Sequence, residues 1–425
     1  MRALPQVWLP VFLISILVAG CGGRPINSLL PVTETVPGTS SVRMLVVTTR
    51  AAISSRPGEF FSGERGNEPA FADITVSIPP DANRRVGEIQ WPSSVPGNPA
   101  RNFVVTNVEL ENKAGALRTF KQITPKARPR RALVFVHGFN NRFDAAVFSL
   151  AQIVHDSKAD VAPVLFTWPS RGRLLAYNYD RESAAFSRDA LEEVLWALAK
   201  DPNIDEISIL AHSMGTWLTM ETLRQMSIRK GRLPAKLQNV VLAAPDIDFD
   251  VFLTQVRDIG KPRPEFIVFV SQDDKALAIS SVLGGSISRL GAINPETDPY
   301  RKMLEAENIN VIDLTKLSSG DPFNHNKFAE SPEVVRAIGA RLAAGDSVTS
   351  SNASIGERIG LITTGAASAV GQTTGLLISA PISVVDGNTR DSLGSQARAV
   401  GVSVGQTIEA TTDTVTAVPG AAAGN

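Results

Sequence analysis

The sequence is poor in the side chains that bind metals through sulphur or imidazole. Among 425 residues there is one cysteine, Cys21, and there are four histidines, at positions 137, 155, 212 and 325. A single cysteine excludes an intrachain disulfide and any metal site that needs several thiolates. An excess of one charge is also missing, because 42 basic residues stand against 42 acidic ones. Nothing therefore steers the whole molecule towards nucleic acid, and we expect no such partner.

The first 20 residues have the layout of a secretory signal peptide: Arg2, an apolar run from position 7 to 18, and then small residues. That run is short for a membrane-spanning helix. The following Val18-Ala19-Gly20-Cys21 resembles the lipobox of bacterial lipoproteins, in which the cysteine is lipidated and becomes the first mature residue. By the same resemblance, Gly22 favours the outer membrane, facing the periplasm. We expect a lipid anchor on Cys21; an ordinary signal peptide with an incidental cysteine is the alternative.

The centre of the chain alternates strand-like and helix-like segments. Short apolar runs are separated by segments with the 3.6-residue period of a helix. Because parallel strands need crossover connections, this alternation predicts an α/β fold with a doubly wound, mostly parallel sheet. Strands are expected at residues 132–137, 162–168, 207–211, 237–243, 265–270 and 309–314, and helices at 143–155, 181–200, 214–228, near 277 and at 332–344.

Both ends of this region differ from its centre. Strand-like runs at 42–49, 72–78, 87–91 and 103–109 predict a β-rich N-terminal extension. Beyond Phe328 there is no aromatic residue and no lysine. Two interpretations of that C-terminal stretch stay open: a flexible solvated tail, or weakly amphipathic helices packed through glycine. We expect a signal peptide at 1–20, a lipidated tether at 21–41, one α/β domain at 42–345 and a low-complexity tail at 346–425.

A strand-like run ending at Leu210 is followed at once by Ala211-His212-Ser213-Met214-Gly215 and a helix. This context is typical of a nucleophilic serine in a sharp strand-to-helix turn, with its hydroxyl exposed above the sheet. Small residues are needed two positions before and after the serine, because the backbone passes close to both. Gly215 meets this need, and Ala211 departs from it by one methyl group. The alternative is a serine that only caps the helix.

A serine nucleophile needs a base, normally histidine, and an acid that fixes the tautomer of that histidine. In this kind of turn the three follow in the order serine, acid, histidine. His325 is the only histidine after Ser213, and it lies beyond the predicted strand 309–314, at the sheet edge where such chemistry occurs. We predict Ser213 as the nucleophile and His325 as the base, a pair that calls for neither a metal nor a cofactor.

Three aspartates compete for the role of the acid. Asp273 and Asp274 follow the predicted strand 265–270, where the acid usually stands, and Asp246 follows the preceding strand. We prefer Asp274, which comes just before a helix-like segment. Asp273 is second, and Asp246 is third because it would also suit a helix cap.

Acyl transfer places negative charge on a carbonyl oxygen, which preorganised N–H donors stabilise. One donor is expected to be the backbone amide of Met214, at a helix N-terminus. The second is expected in the loop after His137, where Gly138 lets the backbone approach the substrate. The amide of Phe139 is the predicted donor there.

Several motifs together resemble the α/β-hydrolase superfamily, and most of all a branch of bacterial esterase- and lipase-like hydrolases. The resemblance covers about residues 42 to 345 and implies the α/β-hydrolase fold, but it says little about the substrate. In the Ser-x-x-Asp-x-Ala-Leu pattern of that branch, the aspartate falls on Asp274. The matching motifs are Val136-His137-Gly138-Phe139-Asn140, Phe166-Thr167-Trp168-Pro169-Ser170, Ala211-His212-Ser213-Met214-Gly215, Tyr179-Asp180-Arg181-Glu182-Ser183, Ala244-Pro245-Asp246-Ile247-Asp248 and Ser271-Gln272-Asp273-Asp274-Lys275-Ala276-Leu277.

The predicted function is hydrolysis of a carboxylic ester, in a small or lipid-like molecule, through an acyl-enzyme. Phe139, Trp168 and Tyr177 would make the site apolar and suit acyl chains. A second hypothesis is a cell-envelope binding or assembly lipoprotein that keeps the fold without turnover. An amidase or peptidase would use the same acyl chemistry and stays open as well.

Overall fold

The computed structural model describes residues 25–285 and 287–344. Within them, nine strands form one sheet in the order β3-β2-β1-β5-β4-β6-β7-β8-β9. The pairs β1–β2 and β2–β3 are antiparallel, and every other neighbouring pair is parallel. The strands, numbered along the chain, are β1 (Ser40–Ala52), β2 (Phe61–Ile78), β3 (Val104–Glu111), β4 (Arg131–Val136), β5 (Ala162–Thr167), β6 (Glu206–His212), β7 (Leu237–Ala243), β8 (Glu265–Val270) and β9 (Asn310–Asp313).

Helices follow the parallel strands and cover the sheet. Apolar side chains of the sheet divide between two buried clusters, one on each face. In β4, Leu133 and Phe135 belong to one cluster and Val134 to the other, which is why this strand is apolar throughout. The helices are α1 (Lys113–Ile123), α2 (Phe143–Ser157), α3 (Tyr177–Phe186), α4 (Arg188–Lys200), α5 (Met214–Lys230), α6 (Phe249–Ile259), α7 (Lys275–Leu283), α8 (Tyr300–Ala306), α9 (Lys327–Glu330) and α10 (Pro332–Ala344).

The predicted fold class, a doubly wound and mostly parallel sheet with a β-rich N-terminal extension, is confirmed. The predicted strand at 87–91 is wrong. Gly87 has a φ of 89°, and its amide donates to Asp156 (2.8 Å) rather than to a neighbouring strand.

The single helix predicted at 181–200 is two helices, α3 and α4, which meet at Ser187. The side chain of Ser187 donates to the carbonyl of Ser183 (2.7 Å) at that break.

Part of the segment expected to be a tether, residues 21–41, is packed against the sheet and α2. Leu29 is buried, and the Ser28 hydroxyl donates to the Asp144 carboxylate (2.6 Å). The amide of Val32 donates to the carbonyl of Val105 in β3 (2.8 Å). These residues are therefore bound to the domain and do not form a free linker.

Three predictions fall outside the described residues: the signal peptide at 1–20, the lipidated Cys21, and the tail at 346–425. Among the helices that the structure does describe, none combines the length and apolar character needed to cross a bilayer.

Candidate active site

Ser213 occupies the turn between β6, which ends at His212, and α5, which begins at Met214. Its φ of 52° and ψ of −125° lie in a region that is unfavourable for a residue with a Cβ. Backbone hydrogen bonds hold it there, from the Ser213 amide to Ala243 O (3.0 Å) and from the Asp246 amide to Ser213 O (3.3 Å). This is the backbone geometry of a serine in a strand-to-helix turn at the carboxyl edge of a sheet, where the Ser213 residue is 5% exposed.

Two glycines make this turn possible. A Cβ on Gly215 would overlap the carbonyl oxygen of His137, and one on Gly138 would lie 2.7 Å from the Cβ of Ser213. Both glycines bring the loop after β4 directly against the turn. The predicted need for a small residue after the serine is thus explained by a close contact between two loops.

Asp274 and His325 are in direct contact. One carboxylate oxygen of Asp274 lies 2.7 Å from Nδ1 of His325, and the other accepts from the amide of Leu277 (2.9 Å) in the first turn of α7. The Asp274 side chain is fully buried, whereas 14% of the His325 side chain is exposed. With Nδ1–H donating to the carboxylate, Nε2 becomes the ring nitrogen that can accept a proton.

The loop that carries His325 is held by Asp321. Its carboxylate accepts from the backbone amides of Phe323 (3.0 Å), His325 (2.8 Å) and Asn326 (3.1 Å). This arrangement fixes the backbone around His325 without any regular secondary structure.

The surroundings of His325 set its charge. Burial lowers the pKa of His325, but the negative charge and hydrogen bond of Asp274 outweigh burial, so the pKa lies above its ordinary value. The carboxylates of Asp321 and Asp246 act in the same direction. The neutral form that can act as a base is therefore reached at a higher pH than for an ordinary histidine.

The second candidate acid, Asp273, faces another partner. Its carboxylate lies 2.7 Å from Nζ of Lys327, whose side chain is 2% exposed, and it also accepts from the Ser271 hydroxyl (2.5 Å). Lys327 donates in addition to the carbonyls of Leu314 and Thr315. Asp273 therefore neutralises a buried lysine next to the His325 loop.

The third candidate, Asp246, belongs to a separate buried network. It forms an ion pair with Arg289 (3.2 Å) and accepts hydrogen bonds from the hydroxyls of Tyr177 (3.0 Å) and Ser280. Both charged side chains are nearly fully buried. Of the three aspartates, Asp274 is the one in hydrogen-bond contact with His325.

The other three histidines are buried and lie outside the Asp274–His325 pair. His212 packs against His325, with ring centroids 4.7 Å apart, and its Nε2 lies 3.3 Å from His325 O. Burial and the neighbouring His325 keep the pKa of His212 well below its ordinary value, so its ring is neutral. His137 stacks on Trp168, and burial together with the charge of Arg50 lowers the pKa of His137 to about 3. His155 lies in α2, as expected.

The predicted oxyanion donors lie at the start of α5 and in the adjoining loop after β4. Met214 is the first residue of α5, and Phe139 stands in the loop between β4 and α2, next to the glycine that touches Ser213. The Phe139 ring meets the Tyr177 ring edge to face, with centroids 5.2 Å apart. Trp168, which we expected to line the site, is fully buried and belongs to the core instead.

A possible metal position lies elsewhere in the sheet. Within the described residues, Asp73, Glu109 and Glu111 bring three carboxylates close together on β2 and β3. Arg43 already forms an ion pair with Asp73 (2.5 Å). These strands stand at the opposite end of the sheet from β8 and β9, so this cluster is no part of the Ser213 site.

The comparison with known families decides the classification. A family model described as an alpha/beta hydrolase of unknown function (DUF900) matches residues 113–341, more than half of the chain. The chain belongs to this α/β-hydrolase family. The match contains Ser213, Asp274 and His325, and it begins after β3.

Similarities to individual proteins are weaker than the match to the family model. An uncharacterized protein of Nostoc sp., alr1448, is 28% identical over 133 residues, which are 25% of this chain and 34% of that protein. The chain thus matches about a third of that relative's length. Similar solved structures include carboxyl esterase 2 from Tuber melanosporum (10% identity, 80% of this chain, 98% of that chain, TM-score 0.34) and a fungal esterase from Rhizomucor miehei (12%, 81%, 93%, 0.32). These identities and TM-scores are too low to indicate the substrate of this protein.

Proposed function

We propose that this α/β hydrolase cleaves carboxylic esters through an acyl-enzyme formed on Ser213. The observation that carries the proposal is the 2.7 Å contact between the buried Asp274 carboxylate and Nδ1 of His325, at the same sheet edge as the strained Ser213 turn. A buried carboxylate that orients a histidine, together with a serine held in such a turn, is the arrangement that activates a hydroxyl for acyl transfer.

The chemistry proceeds in two halves. Nε2 of His325 takes the Ser213 proton as Oγ attacks the ester carbonyl, and the amides of Met214 and Phe139 stabilise the oxyanion that forms. The tetrahedral intermediate collapses, the ester C–O bond breaks, and His325 gives its proton to the departing alcohol. Water then attacks the acyl-enzyme with His325 again as base, which releases the carboxylic acid and restores Ser213.

The apolar surroundings favour an ester with an acyl chain. The half-buried Phe139 and Tyr177 rings pack together beside the loop that touches Ser213. The Tyr177 hydroxyl donates to Asp246 (3.0 Å), so the apolar ring, not the hydroxyl, is left to contact a ligand. A small or lipid-like ester is the substrate class that suits these residues.

A fluorophosphonate probe tests whether the serine is activated. We expect purified protein to be labelled at Ser213 and to hydrolyse p-nitrophenyl esters, because both reactions need a serine with a functional base. Folded protein that resists labelling would support the alternative of a binding or assembly lipoprotein. Labelling combined with faster turnover of matched anilides than of esters would identify an amidase or peptidase.

We also propose that the enzyme is lipid-anchored through Cys21 in the cell envelope, on the periplasmic side of the outer membrane. Its support is the lipobox-like Val18-Ala19-Gly20-Cys21. In a bacterium fed an alkyne analogue of palmitate, the full chain should acquire the label and the Cys21→Ser variant should not. Equal labelling of both proteins would contradict the anchor without affecting the proposed catalysis.

A further inference from the structure

An arginine lies buried beneath the loops that follow β4 and β5. Arg50, near the end of β1, is 1% exposed. Its Nε donates to the Thr167 hydroxyl (2.8 Å), and Nη1 donates to the carbonyls of Ser62 (3.0 Å) and Ser170 (2.8 Å). Nη2 donates to the carbonyl of Asn141 (2.8 Å). Burial lowers the pKa of Arg50 to about 10, so the side chain is still charged at neutral pH.

A buried carboxylate holds the same loops from another direction. Asp180, in the first turn of α3, has no exposed surface. It accepts from the Ser170 hydroxyl (2.5 Å) and from the amides of Arg171 (3.0 Å) and Asn140 (3.5 Å). The Ser170 oxygen in turn accepts from the amide of Asn141 (3.0 Å).

These contacts converge on two consecutive residues. The amide of Asn140 is held by Asp180, the amide of Asn141 by Ser170, and the carbonyl of Asn141 by Arg50. Asn140 has a φ of 59°, a left-handed conformation that asparagine adopts more readily than most residues. The residue immediately before it is Phe139, whose amide is the second oxyanion donor of the proposed reaction.

We propose that Arg50 and Asp180 are positioning residues that fix the Phe139 amide where the oxyanion forms. The inference rests on the proposed serine hydrolase function and deepens it. Arg50 comes from β1, which precedes the region matched by the family model. The β-rich extension therefore completes the catalytic site as well as widening the sheet.

Lysine at position 50 provides the sharpest test. Lysine keeps the positive charge, but its three N–H donors on one nitrogen cannot serve the separate directions that the guanidinium serves. Loss of one oxyanion donor costs about 10²- to 10³-fold, so we expect Arg50→Lys to lower kcat by about 10²-fold while KM changes by less than about threefold. A trifluoromethyl ketone, which forms a tetrahedral adduct with the serine, should bind more weakly by the same factor.

Arg43→Lys is the matched control. Arg43 lies on the same strand, and it is paired with Asp73 and 40% exposed, away from these loops. We expect its kcat and ketone affinity to equal those of the wild type. If Arg50→Lys and Arg43→Lys behave alike in an active enzyme, the positioning role is wrong. A wild type that neither hydrolyses esters nor reacts with fluorophosphonate would instead refute the proposed function.

A milder pair of variants covers the case in which Arg50→Lys does not fold. Ser170→Ala removes the oxygen that joins Asp180 to the Asn141 amide, and Ser227→Ala removes a buried hydroxyl that donates to Ile259 O on another part of the domain. With thermal unfolding measured for both, we expect a fall in kcat and in ketone affinity, without a matching rise in KM, for Ser170→Ala alone. Equal kcat values in the two variants would overturn the proposal.

Discussion

Ser213→Ala is expected to lose nearly all ester hydrolysis. Removing a triad serine costs up to about 10⁶-fold in kcat, because the alanine has no oxygen to form the acyl-enzyme. The turn itself should survive, since the backbone bonds from Ser213 to Ala243 and Asp246 do not involve its side chain. Turnover of p-nitrophenyl esters and fluorophosphonate labelling measure the two consequences.

Ser208→Ala is the control for this variant. Ser208 is a buried serine on β6, the strand that leads into the Ser213 turn, and its hydroxyl accepts from the Asn239 side chain (3.3 Å) outside the site. It should keep wild-type turnover and labelling. Hydrolysis that persists unchanged in Ser213→Ala would assign the nucleophile to another residue and end the proposed mechanism.

Asp274→Asn is expected to lower turnover by about 10⁴-fold, as the equivalent change does in other triads. An asparagine still suits the start of α7, because its oxygen can accept from the Leu277 amide as Asp274 does. What it loses is the charge that holds His325 in the productive tautomer. The fold should persist while catalysis fails.

The pH profile supplies a second signature of Asp274. In the wild type the charge of Asp274 raises the pKa of His325, so kcat/KM should rise with pH through a value above the ordinary histidine range. Without that charge the pKa of His325 falls, because burial still lowers it and the strongest opposing carboxylate is gone. The remaining activity of Asp274→Asn should therefore begin at a lower pH than in the wild type.

The competing aspartates serve as matched controls for the same substitution. Asp273→Asn and Asp246→Asn should stay within about tenfold of the wild-type rate, because neither contacts the imidazole and a triad acid costs far more. Asp246→Asn should lose stability, since breaking a buried ion pair such as that with Arg289 costs about 3 to 5 kcal/mol. A crippled Asp246→Asn beside a near-normal Asp274→Asn would place the acid after β7.

Local patterns predicted the parts of the fold in which neighbouring residues decide the conformation. The apolar runs of β7 and β8 and the helical period of α10 have the bounds expected from the sequence. The segment 87–91 has only two apolar side chains, Ile89 and Trp91, and is bound instead by tertiary contacts, including the bond from Gly87 to Asp156. Helices α1, α6, α8 and α9 were not predicted, although the buried Phe249, Phe252 and Val256 of α6 have the spacing of one helix face.

The candidate site shows the same difference between features set by local sequence and features set by long-range contacts. The turn at Ser213 and the choice of Asp274 and His325 depend on short motifs and chain order, which a sequence displays directly. Arg50 left no such signal, because its role depends on four partners spread from residue 62 to residue 170. The packing of His212 against His325 depends likewise on residues more than 100 positions apart.

Asp274 links the start of helix α7 to the orientation of His325. One of its oxygens begins α7 and the other orients His325. Partial melting of the first turn of α7 would therefore withdraw the acid from the imidazole at the same moment. Such local openings need less free energy than global unfolding. Inactivation by heat or denaturant should then precede the loss of the sheet, and the working range of the enzyme would be set by one helical turn.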